Sequence, residues 1–171
     1  MVKKVFSLVV LFFIFGCGQR YTKTGDGRLK APRPDYKFKN ADKFNASIYK
    51  QIDTNAYYEM IDVFWSNGKY EKLGSHTYPP SALQFYNNGY LRRVDITKIN
   101  TDYNYSGHRG VIYLDKNGNL KIDLFQGISQ DGSVGIVTYS VKIEGDKIYM
   151  LSPRHNFFNG NDRVCYVYEK R

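Results

Sequence analysis

From residue 55 onward the apolar positions recur with a period of two. Leu120, Ile122 and Leu124 alternate with Lys121 and Asp123, which makes one dry face and one wet face, as in a half-buried strand. Val137, Tyr139, Val141 and Ile143 likewise oppose Thr138, Ser140 and Lys142. The runs NAYYEMIDVFW, LQFY, YLRRV, GVIYLD and RVCYVYEK are aromatic and β-branched. Turn residues separate several of them: Asn87-Asn88-Gly89, Asp115 to Gly118, and Glu144-Gly145-Asp146. Each such cluster between alternating runs predicts a β-hairpin. About eight strands result, nearly all joined by hairpins, and a meander of that size must hide its edges. The predicted fold is all-β and mainly antiparallel, an up-and-down meander closing into a barrel or half-barrel. A two-sheet β-sandwich is the alternative.

Upstream the period changes. Phe44, Ile48 and Ile52 are spaced by four, after Asn40-Ala41-Asp42 and before Asp53-Thr54-Asn55. This pattern predicts a short N-terminal helix with one apolar face. Further upstream, Lys3 and Lys4 precede an apolar run from Val5 to Phe15 that only Ser7 breaks. A bilayer-spanning helix needs about 20 apolar residues, so the run is too short to span and has the length of an export signal. It ends at Ile14-Phe15-Gly16-Cys17. An aliphatic residue, a variable one, Gly, then Cys resembles the lipobox of bacterial lipoproteins. That resemblance implies cleavage before Cys17 and lipid attachment at Cys17. It implies a signal peptide over 1–16, an anchor and basic flexible linker over 17–43, and a β-domain over 44–171.

Charge sharpens this division. The whole chain carries +9. Residues 18–43 hold eight basic and three acidic residues, whereas 44–171 hold fifteen and thirteen. The excess therefore belongs to the segment after Cys17, which is also rich in Gly and Pro and poor in apolar residues, as a linker would be. Such a tether could lie on anionic head groups. A nucleic-acid partner is not expected, because the domain itself lacks the basic excess. With Cys17 lipidated, Cys165 has no intramolecular partner. Its run, Val164 to Val167, marks it as a small buried hydrophobe.

The lipobox and basic linker, together with LQFYNNGYLRRV, GVIYLDKNGNLKIDLF and the terminal YSVKIEGDKIYML and VCYVYEK, resemble small envelope lipoproteins of Bacteroidota. Many of those carry a lipocalin-like β-domain of unassigned function. The resemblance spans residues 55–169 and implies a lipocalin-like barrel on a lipid anchor.

No catalytic, cofactor or metal site emerges. His76, His108 and His155 fall in turn-like segments without a second ligand at metal spacing, and exposed loop positions are expected for them. DKNGNLKID places Gly118 too early for a calcium loop, and a hairpin turn accounts for it. There is no Gly-x-Ser-x-Gly elbow. Sixteen tyrosines and eleven phenylalanines are the remaining signal, since tyrosine suits both sheet pairing and ligand surfaces. Phe157 and Phe158 sit in a long loop before the last strand. The expected protein is not an enzyme. It is a membrane-anchored module that binds a small apolar or amphipathic ligand. The alternative is an envelope protein with a filled core that docks on a protein partner. Its expected place is the outer membrane, facing the periplasm.

Overall fold

The computed structural model describes residues 21–33, 36–128, 132–154 and 163–171. Cys17, the expected signal peptide over 1–16, His155, Phe157 and Phe158 lie outside the described residues. Eleven strands are present among those described: β1 (Tyr21–Lys23), β2 (Lys30–Pro32), β3 (Tyr57–Ser66), β4 (Lys72–Ser75), β5 (Ala82–Phe85), β6 (Tyr90–Val94), β7 (His108–Leu114), β8 (Leu120–Gly127), β9 (Val134–Glu144), β10 (Lys147–Leu151) and β11 (Arg163–Lys170).

Strands β5 to β11 pair in sequence order, β5 pairs with β3, and β11 pairs back onto β3. Every ladder is antiparallel. The meander thus closes into an eight-stranded barrel of lipocalin-like topology, which leaves no place for a sandwich or a half-barrel. Closure satisfies backbone groups that an open edge would leave unpaired. The three turns foreseen from sequence all join neighbouring strands, at 86–89, 115–119 and 144–147. Strand β4 pairs with the far end of β3, and the segment carrying Pro79 and Pro80 separates it from β5. Proline lacks the N–H that a central ladder requires, so a single strand from 72 to 85 cannot form.

The period of two becomes an inside and an outside. Tyr58, Val63, Leu83, Phe85, Leu91, Ile112, Ile122, Leu124, Tyr139, Val141, Ile148 and Met150 share one buried cluster. Gly110 faces this interior because a Cβ there would lie 2.2 Å from the Asp123 carbonyl oxygen and 2.8 Å from Leu124 Cδ2. The barrel wall closes that tightly only without a side chain.

The predicted helix is replaced by two 3-10 turns, Ala41–Lys43 and Ala46–Lys50. Asn45 between them is extended, and its side chain accepts from the Ser47 N–H. The spacing of four still delivers Ile48 and Ile52 to the core. Tertiary packing sets the backbone here, as it commonly does for weak helix formers. This segment closes the end of the barrel that carries the short hairpins, called here the lower end. Tyr49 Oη donates to the Tyr86 carbonyl at 2.5 Å and accepts from the Gly89 N–H at 2.9 Å.

Much of the segment read as a flexible linker is placed against the barrel. Strands β1 and β2 form a hairpin. Phe38 is buried with Val111, Tyr113 and Phe125 on the outer wall. Asn40 donates to buried Asp123 at 2.9 Å. Asp26 meets Lys98, Thr24 and Ser106, and these bonds hold its carboxyl well below the usual carboxylate range. Composition suggested a tether because the charged side chains dominate the count. Lys23, Arg28, Lys30, Arg33, Lys37 and Lys39 point to solvent, while a few apolar residues between them make the packing.

Candidate functional site

The upper end of the barrel carries the longer connections, 67–71, 76–81 and 95–107, and there the interior changes character. The lower interior is aliphatic and aromatic. Above it, on the inward faces of β6, β7 and β8, lie Arg93, His108 and Gln126. Arg93 keeps only 3% of its surface exposed. Its Nη2 donates to Gln126 Oε1 at 2.6 Å and to Tyr78 Oη at 3.2 Å. Gln126 Nε2 donates onward to Tyr139 Oη at 2.7 Å. The guanidinium lies 5.3 Å from the Tyr78 ring centroid and 5.7 Å from that of Tyr166, a cation–π arrangement. Its Nη1 is buried and has no partner among the described residues.

His108 stands directly across the ladder from Arg93. Burial, reinforced by the Arg93 charge, lowers its pKa to about 4 despite a hydrogen bond with the Phe125 backbone. Its Nδ1 has no partner. The ring is therefore neutral near pH 7. The expectation of exposed loop histidines is corrected for His108, whereas His76 lies in the 76–81 connection and is half-buried. His108 opens a strand and faces inward, and His76 packs against Trp65 with ring centroids 4.8 Å apart. For His108 the reason is that a turn-like sequence flanking a strand end can still place its last residue on the dry face.

A cavity of about 270 Å³ opens at this mouth. Arg93, His108 and Ser106 line its polar side, and Leu29, Tyr78, Pro79 and Pro80 its apolar side. Burial raises the phenol pKa of Tyr166, beside Arg93, so it stays neutral. The arrangement is a fixed positive group in a low-dielectric wall, suited to binding.

Two other concavities lie outside the barrel. One of about 400 Å³ runs along the outer wall between Tyr36, Phe38, Tyr86, Tyr90, Tyr103 and Arg109. Arg109 is 6% exposed, stacks on Tyr103 at 5.5 Å and has an unpartnered Nε. The other, about 760 Å³, is an open polar depression at the lower rim beside Asp53, Asp146 and Lys170, where Lys170 pairs with Asp53 at 3.1 Å.

Among the described residues no cluster of His, Cys, Asp and Glu could hold a metal ion. Asp115 accepts from the N–H groups of Asn117 and Asn119, so its oxygens serve the hairpin turn. Cys165 is fully buried on the outer face of β11 with Phe64, Leu151 and Val167, and burial pushes its thiol up to about 12. It is an inert packing residue, as its apolar run predicted. The sequence pattern did not single out Arg93 and His108 at the mouth or Arg109 on the outer wall. One signal was present in YLRRV: with Leu91 inside, a period of two puts Arg93 inside as well.

Comparison of the chain with protein-family models, with curated proteins and with solved structures finds no match.

Proposed function

We propose that this protein is a lipid-anchored bacterial envelope protein whose barrel is a non-catalytic binding module for a small amphipathic ligand held at the upper mouth. The observation that carries the reading is the asymmetry of the barrel. One end is closed by Ile48 and Ile52 over an aliphatic core. The other combines a concavity, apolar walls and inward-facing polar groups with unused hydrogen-bonding capacity. Ligand sites characteristically join apolar walls to a few placed polar groups. The amphipathic ligand is preferred over a purely apolar one because side chains fill the interior below the mouth. The lipobox at Cys17 supports the anchor, and the outer membrane facing the periplasm is the proposed location.

A second reading is docking on an envelope protein, and two observations favour it: the side-chain-filled interior expected of such a protein and the tyrosine-lined groove on the outer wall. Tyrosine and arginine are enriched where proteins bind one another. Native mass spectrometry of the protein isolated from its own envelope separates the two. A retained small molecule supports the module. A retained protein partner with no small molecule overturns it in favour of docking.

A further inference from the structure

Arg93 and His108 are a directly opposed cross-strand pair, and both line the mouth cavity. Arginine keeps its charge at any pH a protein meets and offers five N–H donors. Gln126 and Tyr78 both bond Nη2, and among the described residues Nη1 has no partner. Among the described residues no carboxylate pairs with Arg93. The acids lining the same cavity are engaged elsewhere: Asp26 with Lys98 and Ser106, and Asp95 with Thr97. A desolvated charge compensated only by tyrosine faces and an amide is costly unless an opposite charge meets it.

We infer that the mouth recognises its ligand through an acid group, and that the ligand is a small carboxylate whose oxygens take the Arg93 guanidinium while its apolar part lies against Leu29, Tyr78, Pro79 and Pro80. The inference rests on the proposed reading of the mouth as the binding site. A planar carboxylate matches the guanidinium fork. Of the three cations lining the cavity, Lys98 is paired with Asp26 and Arg28 is exposed, so Arg93 is the buried one, and a singly charged acid balances it more closely than a phosphate dianion does. The volume, about 270 Å³, equals the space of about nine waters at about 30 Å³ each. It therefore suits a molecule of the size of benzoate.

The test uses the full-length protein in detergent, with benzoate, benzyl alcohol, benzylamine and inorganic phosphate as probes, followed by NMR titration. Benzoate should bind saturably and about tenfold or more tighter than benzyl alcohol, the factor expected from a charge-assisted hydrogen bond. Benzylamine should not bind. Arg93→Gln should remove the preference while benzyl alcohol binds as before. Arg93→Lys, which keeps the charge, should retain part of it and decides the matter if Arg93→Gln does not fold. Arg109→Gln, on the outer wall, should change nothing. Equal binding of benzoate and benzyl alcohol, insensitive to Arg93, overturns the acid inference and leaves the mouth site standing. Displacement of benzoate by phosphate at lower concentration overturns the carboxylate class. Failure of every probe to bind overturns the mouth site as well.

Discussion

Arg92 and Arg93 are neighbours on one strand, both nearly sealed from water, yet the two sides of the barrel wall treat them differently. Outside, Arg92 is saturated. It donates to Gln84 Oε1 at 2.9 Å, to the carbonyls of Ile99, Thr101 and Asp102 at 2.8, 2.6 and 2.7 Å, and to Thr101 Oγ1 at 3.2 Å. It is the fastener that shapes the 95–107 connection. Inside, Arg93 has one amide and one phenol for partners, and a bare Nη1. A guanidinium whose donors are all used holds structure together. One with a donor to spare, in a residue that lines a cavity, is what the acid-recognition proposal rests on.

That contrast can be broken by experiment. The largest effect belongs to Arg92→Met, which strips three loop carbonyls and Gln84 of their donor. It should cost about 2–3 kcal/mol, since buried acceptors left unsatisfied cost about 1–3 kcal/mol, and is measured by urea unfolding. A loss below about 1 kcal/mol would mean that water replaces the arginine and that the fastener role is wrong.

The next effect is pH-dependent and sits at the mouth. His108 has a pKa near 4 in the folded chain and about 6.5 when unfolded. Between those values the unfolded chain binds a proton that the folded one rejects. Stability is therefore full above about pH 6.5 and falls as pH drops towards 4, by at most about 3 kcal/mol. His108→Gln should flatten thermal stability across that window. An unchanged slope would place the acid sensitivity elsewhere.

The smallest effect is Arg93→Met. Relief of a buried charge opposes the loss of the bonds to Gln126 and Tyr78, so stability should stay within about 1 kcal/mol of the original. A loss as large as that of Arg92→Met would erase the distinction between the two arginines and mark both as structural.

Much of the barrel could be read directly from sequence, because a strand with one dry face writes its orientation into every second residue. Leu120, Ile122 and Leu124 face inward as their alternation requires, and the glycine at each of the three turns marks a place where the chain reverses. The 41–52 segment was half legible. Its spacing of four identified Ile48 and Ile52 as core residues, but the 3-10 backbone followed from how those side chains had to reach the barrel end. The packing of the 21–40 segment was not legible because it depends on single residues such as Phe38 and Asp26, whose partners Phe125 and Lys98 lie far along the chain.

By itself the sequence determined an all-β meander, its turns, and the buried and inert character of Cys165, and it carries the apolar run and lipobox-like Cys17 on which the anchoring proposal rests. Those are local properties, carried by period, turn chemistry and short motifs. Closure of β11 onto β3, the docking of the basic hairpin, and the meeting of Arg93 with His108, Gln126 and Tyr78 were decided only by tertiary structure. Each depends on residues distant in the chain being brought to one wall. Whether a buried guanidinium is satisfied is a property of that meeting, and nothing in the dipeptide Arg92-Arg93 distinguishes the fastener from the free donor.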